Sequence, residues 1–149
     1  MNRVVADFSA ESTGDKNVRL KDLRGKNVVI YFYPKDSTPG CTLEGQDFRD
    51  LHGRFKRQNS VILGVSKDSI ASHEKFKAKQ KFPFDLLSDP DGKLSEKFGV
   101  IREKNMYGRK FMGIERSTFV IDAEGVVMEA WRKVKAEGHA HRVAEALGL

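Results

Sequence analysis

The sequence predicts an α/β fold in which a mixed central β-sheet is flanked by helices. Two short runs of β-branched and aromatic residues, NVVIYFY (residues 27–33) and SVILGVS (60–66), are typical of strands covered on both faces in a parallel sheet. Between them, Phe48, Leu51 and Phe55 recur at steps of three and four residues within a charged segment, which is the pattern of an amphipathic helix. Together these three segments indicate a β-α-β unit.

The next predicted elements extend this unit. SIASHEKFKAKQ (69–80) predicts a second helix, FDLLSD (84–89) a short strand or turn, and GKLSEKFG (92–99) a short helix that ends at its glycine. The segment REKNMYGRKFMG (102–113) is polar and is predicted to be a loop.

The last part of the chain predicts a hairpin and a terminal helix. STFVI (117–121) and VVMEAWRKV (126–134) are predicted strands, and the Asp and Gly of the intervening DAEG favour a tight turn. AHRVAEALGL (140–149) is the terminal helix, and the N-terminal segment has room for a further hairpin. The order β-α-β-α-β-β-α describes a mixed sheet flanked by helices, as in thioredoxin-like folds.

Length and composition fit one domain. The chain has 149 residues, of which 39% are hydrophobic and 32% charged, so we expect a single domain over residues 1–149 with a core of ordinary size. No apolar run approaches the roughly 20 residues of a membrane span, and the N-terminus lacks the apolar core of a secretory signal. We therefore expect a cytoplasmic monomer without membrane partners.

The charge pattern argues against a nucleic-acid partner. Lys and Arg number 27 against 21 Asp and Glu, a formal charge of +6, and the basic residues are spread along the chain with acids among them. A nucleic-acid-binding module more often has a concentrated basic stripe or a recognisable motif. We expect no nucleic-acid binding, although a basic module remains an alternative.

Cys41, the only cysteine, follows the segment YPKDSTPG. Pro39 favours the first helical position, because its fixed φ suits a helix and its missing N–H would have no partner there, and Thr38 then becomes the N-cap. Cys41 lies in the first turn, where unpaired N–H groups and the helix dipole stabilise a thiolate. We interpret Cys41 as a reactive nucleophile; the alternative is a buried structural cysteine.

The surrounding residues resemble a known active site. Pro34, Thr38 and Cys41 stand in PKDSTPGC, which resembles the peroxiredoxin pattern of Pro, three residues, Thr or Ser, two residues and Cys. With YGRKFMGIERSTFVID (107–122), the longer string YPKDSTPGCTLEG is similar to the bacterioferritin comigratory protein branch, also called peroxiredoxin Q. The resemblance covers essentially the whole chain. It implies a thioredoxin-like fold and the reduction of hydrogen peroxide or organic hydroperoxides.

The resemblance also implies roles for individual residues. Cys41 would be the peroxidatic nucleophile, and Thr38, Pro34 and Arg116 would complete the site. Arg116 would hold the thiolate ionised and polarise the peroxide with its permanent charge and fork of donors. Thr38 is expected to donate its hydroxyl to sulfur or to a peroxide oxygen, and Pro34 to wall the pocket without a competing donor. Glu44 is expected to orient Arg116 through a charge-assisted hydrogen bond.

One departure from the family pattern decides how the thiol is regenerated. Many members carry a second cysteine five positions after the first or on the next helix, but here the fifth position is Gln46 and residues 69–81 contain no cysteine. No internal disulfide can form, so oxidised Cys41 must be reduced by an external thiol such as thioredoxin, glutaredoxin or glutathione. Gly45 and Gly53, inside the first helix, favour either local unwinding or close packing against the sheet.

No metal or cofactor is expected. His52, His73, His139 and His141 lack the spacing of a helical metal pair with a third ligand. His52 lies about 16 Å along a helix from Cys41, too far to act as its base. No glycine-rich phosphate loop or dinucleotide fingerprint occurs.

A second function class remains open. A non-enzymatic thiol redox sensor or a redox-linked chaperone would also need a reactive Cys41. It would not need Arg116 and Thr38 arranged for turnover. Steady-state peroxide consumption with an added thiol separates the two classes.

Overall fold

The computed structural model describes residues 3–149; Met1 and Asn2, which begin the N-terminal segment considered above, lie outside it. Nine strands are found in this range: β1 (Ser9–Ser12), β2 (Lys16–Arg19), β3 (Asn27–Phe32), β4 (Ser60–Ser66), β5 (Asp85–Ser88), β6 (Ile101–Met106), β7 (Arg109–Ile114), β8 (Ser117–Ile121) and β9 (Val127–Trp131). The helices are α1 (Pro39–Arg57), α2 (Ile70–Gln80), α3 (Lys93–Lys97) and α4 (His139–Ala146), with a 3-10 turn at Leu20–Leu23.

Seven of the strands form one mixed sheet in the order β2-β1-β5-β4-β3-β8-β9. The central strands β3, β4 and β5 are parallel, whereas β8 pairs with β3 in the antiparallel direction. The β3-α1-β4 unit and the mixed α/β sheet predicted from the sequence are therefore confirmed. The N-terminal hairpin is also present, because β1 pairs antiparallel with β2.

Each face of the sheet buries its own hydrophobic cluster. On one face, α1, α2 and α4 cover the sheet, and the buried residues there include Cys41, Phe48, Phe55, Phe76 and Val143. On the other face, α3 and its flanking segments supply Leu94, Phe98 and Val100 to the core. The alternation of side chains along β3 divides it between the two clusters, with Val29 and Tyr31 in one and Ile30 and Phe32 in the other.

The prediction of a polar loop over residues 102–113 is wrong. This segment forms most of a hairpin in which β6 and β7 pair from Ile101↔Ile114 to Met106↔Arg109, as a two-stranded sheet of their own. The two turn residues, Tyr107 (φ 55°) and Gly108 (φ 79°), both have positive φ, as a type I′ turn requires. Most side chains of the hairpin face solvent, so the sequence lacks the alternation by which a half-buried strand is recognised.

The structure favours one of the two explanations for the glycines of α1. A Cβ atom placed on Gly45 would lie 2.4 Å from Cζ of Phe82, so this glycine is required by close packing. A Cβ atom on Gly53 would meet only the flexible end of Arg57, at 3.7 Å. Close packing therefore accounts for Gly45 but not for Gly53.

Within residues 3–149, no helix combines the length and the apolar character needed to cross a bilayer.

Candidate active site

Cys41 lies in the first turn of α1, as the sequence predicted. Thr38 is the N-cap with an extended backbone, and Pro39 is the first helical residue. The N–H of Thr42 donates to the Thr38 carbonyl at 2.9 Å, so the earlier N–H groups of Gly40 and Cys41 have no intrahelical acceptor. Cys41 is only 2% exposed. The thiol is thus enclosed at the positive end of the helix dipole.

Strand pairing brings Arg116 to this helix end. Phe32, the last residue of β3, pairs with Ser117, the first residue of β8, so Arg116 lies beside the point where the chain leaves β3 for α1. Its Nη2 donates to Sγ of Cys41 at 3.4 Å, and its Nη1 donates to Oε1 of Glu44 at 2.6 Å. The guanidinium group of Arg116 therefore contacts two side chains of α1, those of Cys41 and Glu44.

Gly40 makes room for this approach. A Cβ atom at residue 40 would lie 3.2 Å from Nη2 of Arg116, which is closer than most Cβ contacts. From the sequence, a role was predicted for Pro39 but none for Gly40, so this role was missed. The signal was present in the same motif, since glycine next to a nucleophile often marks a close approach.

Glu44 is fully buried beside Arg116. Burial raises its pKa to about 7, although the charge and hydrogen bond of Arg116 act in the opposite direction. Oε2 of Glu44 has no hydrogen-bond partner among the described residues, which agrees with an upward shift. Burial alone would lower the pKa of Arg116, but Glu44 and Cys41 outweigh it and raise that pKa, so Arg116 stays cationic. The expected contact between Glu44 and Arg116 is present.

Thr38 makes a different contact from the one expected, whereas Pro34 lies where a pocket wall was expected. The Thr38 hydroxyl donates to the carbonyl of Lys35 at 2.9 Å, not to the sulfur of Cys41. Its hydrogen is therefore engaged, and its oxygen remains free to accept a hydrogen bond. Pro34 is exposed and lines a pocket together with Arg116.

That pocket has a volume of about 560 Å³ and is mostly walled by charged side chains. Besides Pro34 and Arg116, it is lined by Arg102, Glu103, Lys104, Glu115, Lys133 and Val134. Burial lowers the pKa of Lys104, and the Arg116 charge acts in the same direction, whereas Cys41 and Glu115 raise it. Lys104 was missed at the level of sequence, because the β6-β7 hairpin was predicted to be a loop.

A buried polar cluster supports the loop before α1. Nδ1 of His73 lies 2.7 Å from Oδ2 of Asp36, and Nε2 of His73 lies 2.9 Å from the carbonyl of Leu87. The Asp36 N–H donates to Oδ2 of Asp68 at 2.8 Å, and the Tyr33 hydroxyl donates to Oδ1 of Asp36 at 2.6 Å. These contacts join β3, α2 and the Cys41 loop in one network.

This cluster also bears on the metal question. Ligand atoms of Asp36, Asp68 and His73 lie within 4.8 Å of one another, a grouping that the helical spacing of the histidines did not predict. However, the same atoms already make the hydrogen bonds just described. The set is therefore best explained as a bracing network for the loop.

The site combines three chemical elements: a lone thiol at a helix N-terminus, a fixed cation 3.4 Å from its sulfur, and an open pocket that borders that cation. A cation and unpaired N–H groups stabilise a sulfur anion and also the negative charge that develops on a leaving oxygen. The arrangement is suited to nucleophilic attack by sulfur on an electrophile that releases an oxyanion.

Sequence comparison places the chain among known proteins. It matches the AhpC/TSA family over residues 1–130. Peroxiredoxin Bcp of Xanthomonas campestris pv. campestris is 53% identical over 141 residues, which cover 95% of this chain and 88% of the relative. Peroxiredoxin Bcp of Bacillus subtilis is 51% identical over 141 residues, again 95% of this chain and 88% of the relative.

Solved structures agree. One structure from a study of the alkyl peroxide reduction activity of the Xanthomonas campestris bacterioferritin comigratory protein has a TM-score of 0.90 at 52% identity, and covers 95% of this chain and 90% of that one. A mutant of Xylella fastidiosa peroxiredoxin Q has a TM-score of 0.91 at 41% identity, with 99% and 96% covered. The chain therefore belongs to the AhpC/TSA family and is a peroxiredoxin of the Bcp or peroxiredoxin Q type, a thiol-dependent peroxidase with a single cysteine.

Proposed function

We propose that this peroxiredoxin reduces hydrogen peroxide and alkyl hydroperoxides with Cys41 as the peroxidatic nucleophile. The observation that carries the proposal is the hydrogen bond of 3.4 Å from Nη2 of Arg116 to the Cys41 sulfur. The alkyl peroxide reduction activity of the Xanthomonas campestris relative supports the substrate class. Arg116, Thr38 and Pro34 are the other residues to which we assign roles.

The oxidation step needs one electron pair and one leaving group. The Cys41 thiolate attacks the terminal oxygen of R–O–OH, the S–O bond forms, and the O–O bond breaks. The products are Cys41–SOH and RO⁻, and RO⁻ takes a proton from solvent to become the alcohol. Arg116 and the free N–H of Cys41 stabilise the departing oxygen, the oxygen of Thr38 accepts a hydrogen bond from the peroxide O–H, and Pro34 adds no competing donor.

Regeneration depends on a second molecule. Because the chain has one cysteine, an external thiol must attack Cys41–SOH to give a mixed disulfide and water. A second thiol then releases Cys41 and leaves the disulfide of the reductant. We propose that this reductant is a small thiol or a thioredoxin-type or glutaredoxin-type protein.

The enzyme is proposed to work as a cytoplasmic monomer. The groups assigned to the oxidation step all come from one chain, so no second subunit is needed to complete the site. A lone, unpaired thiol also fits a reducing compartment. Size-exclusion chromatography with light scattering would test the monomer directly.

The test of the function is peroxide consumption by the wild type and by Cys41→Ser, with and without an added thiol. We expect turnover only with the wild type and a thiol. One equivalent of peroxide should add one oxygen to Cys41 in a form that dimedone traps. Oxidation without any turnover, whichever thiol is supplied, would instead support a redox sensor. Prompt formation of a Cys41 to Cys41 dimer on a non-reducing gel would contradict direct reduction by an external thiol.

A further inference from the structure

Two cations that line the pocket beside Arg116 have no acidic partner among the residues that the structure describes. Arg102 forms an ion pair with Glu115 at 3.0 Å, and Glu103 lies 3.8 Å from Lys110 on the neighbouring strand. Lys104 instead donates to a backbone carbonyl, that of Ile114, at 2.6 Å. Over residues 3–149, neither Lys104 nor Lys133 forms an ion pair.

The position of these lysines points to a ligand that carries negative charge. Lys104 is half-buried and Lys133 is exposed, and both line the pocket with Arg116, whose Nη2 donates to the Cys41 sulfur. The volume of about 560 Å³ lies in the range of sites that hold small molecules. A small molecule with an anionic group that contacts the lysines therefore lies beside Arg116, the residue that donates to the Cys41 sulfur.

The packing of α1 favours delivery of a small reductant to Cys41. Cys41 is 2% exposed, and the segment after it is tied to the end of α2. Nε2 of Gln46 donates to Oε1 of Gln80 at 2.9 Å, Nη1 of Arg49 donates to the Gln80 carbonyl at 2.9 Å, and Gly45 packs against Phe82. Any reductant has to reach a sulfur that this packing encloses, and a small thiol needs a smaller opening beside Arg116 than a protein dithiol does.

We propose that this pocket binds a low-molecular-weight thiol that carries a carboxylate, and that Lys104 and Lys133 hold the carboxylate while the thiol reduces Cys41. This inference rests on the proposed function and specifies its reductant. Glutathione, with two carboxylates and one thiol, is a representative of this chemical class. The lysines act as binding residues for the second half of the cycle.

The chemistry balances with two thiols for each peroxide. The first thiolate attacks the sulfur of Cys41–SOH, an S–S bond forms, the S–O bond breaks, and the released hydroxide takes a proton to become water. A second thiolate attacks the sulfur of the bound thiol, releases Cys41 as its thiolate, and leaves with the first thiol as a disulfide. The sulfenic acid is reduced, and the two thiols are oxidised.

The experiment separates the two half-reactions. Reduced protein is mixed with one equivalent of hydrogen peroxide to form Cys41–SOH, and the fluorescence of Trp131, the only tryptophan, follows this step. The oxidised protein is then mixed with glutathione or with glutathione diethyl ester, and mass spectrometry of quenched samples measures the mixed disulfide. Each rate constant is divided by the fraction of the reductant's thiol that is ionised, because esterification changes the acidity of the thiol. The variants are Lys104→Met and Lys133→Gln, and Lys93→Met, an exposed lysine of α3, controls for net charge.

We expect glutathione to react faster than its ester with the wild type. Lys104→Met and Lys133→Gln should each lower the ratio of the glutathione rate to the ester rate by about fivefold, measured in the second half-reaction after Cys41–SOH has formed. The advantage of glutathione should shrink as salt is added. Lys93→Met should behave as the wild type in every arm.

Glutathione rates that do not respond to either lysine would overturn the inference and leave the proposed function intact. The inference is also overturned if thioredoxin reduces Cys41–SOH faster than glutathione does and its rate does not change in either lysine variant. Failure of the first half-reaction would overturn the proposed function itself. In that case, calorimetric titration of S-methylglutathione into the reduced protein still decides the inference: binding weakened about fivefold by each lysine variant supports the site, and equal or absent binding refutes it.

Discussion

Arg116 donates a hydrogen bond of 3.4 Å to the Cys41 sulfur across 75 positions of sequence. The contact is possible because β8 begins where β3 ends, and because the residue before Cys41 is a glycine that leaves space for the guanidinium. Arg116 also binds Glu44, one turn after Cys41 on α1. The fork of one side chain thus fixes the cation relative to the nucleophile.

Replacement of Arg116 should slow the oxidation of Cys41. We expect Arg116→Ala to lower the second-order rate with peroxide by about 10²- to 10³-fold, since it removes a preorganised charge from the leaving oxygen. The rate of Arg116→Lys should lie between those of the wild type and Arg116→Ala. Lysine keeps the positive charge, but its ammonium group lacks the planar fork that contacts both Cys41 and Glu44. Stopped-flow fluorescence measures the rates. Arg54→Ala, which removes an exposed arginine of the same chain, serves as the control.

Glu44 should make the protein less stable as pH rises. Its carboxyl has an ordinary pKa of 4.5 and a folded-state pKa of about 7, so between these values the folded state keeps a proton that the unfolded state has lost. Stability from this group is therefore fully present below pH 4.5 and is lost as pH rises through 7, by about 3 kcal/mol at most.

The measurement for Glu44 is the urea midpoint at a series of pH values. The wild type should lose stability relative to Glu44→Gln across the window from pH 4.5 to about 7, because the amide cannot titrate. Glu124→Gln removes an exposed carboxylate and should keep the slope of the wild type. If the Glu44→Gln and wild-type curves run parallel, folding does not raise the pKa of Glu44.

The two glycines of α1 should respond in opposite directions to the same substitution. Gly45→Ala places a methyl group against Phe82, so we expect it to lower the free energy of unfolding by about 1 to 3 kcal/mol. Gly53→Ala meets open space and should raise it by up to about 1 kcal/mol, because alanine favours the helix. Urea denaturation of both variants gives the comparison. A stabilising Gly45→Ala would show that Phe82 moves aside at little cost.

A second cysteine at position 46 would report on the integrity of α1. Two Cα atoms five residues apart on an intact helix are about 9 Å apart, more than the ~7 Å that a disulfide can span. In Gln46→Cys, a disulfide with Cys41 should therefore form only together with a loss of helical signal in circular dichroism. Gln46→Ser controls for loss of the hydrogen bond to Gln80. A disulfide that forms with the helical signal unchanged would contradict this geometry.

The sequence predicted the parts of the fold whose burial leaves a pattern. The continuous apolar runs of β3 and β4 and the spacing of Phe48, Leu51 and Phe55 gave the β-α-β unit, and Pro39 gave the start of α1. Periodicity could not predict the hairpin that carries Lys104, because both of its faces are largely exposed.

Contacts between segments that are distant in sequence could not be predicted either. The pairing of Arg116 with Cys41 was available only through the resemblance to a family, since no local pattern links residues 75 positions apart. The grouping of His73 with Asp36 and Asp68 was missed for the same reason. Helical spacing tests neighbours on one element, whereas Asp36 and Asp68 lie in two different loops and only His73 lies on a helix, α2.

The separate β6-β7 sheet has a consequence for evolution and engineering. The nucleophile and its cation are anchored to α1 and β8, whereas Lys104 is carried by a hairpin that pairs only within itself. Mutations of the exposed hairpin residues can therefore alter the charge of one pocket wall without disturbing the central sheet. On the inference proposed above, an exchange of residues 102–113 between homologues would transplant thiol preference while Ile101 and Ile114 keep their places in the core.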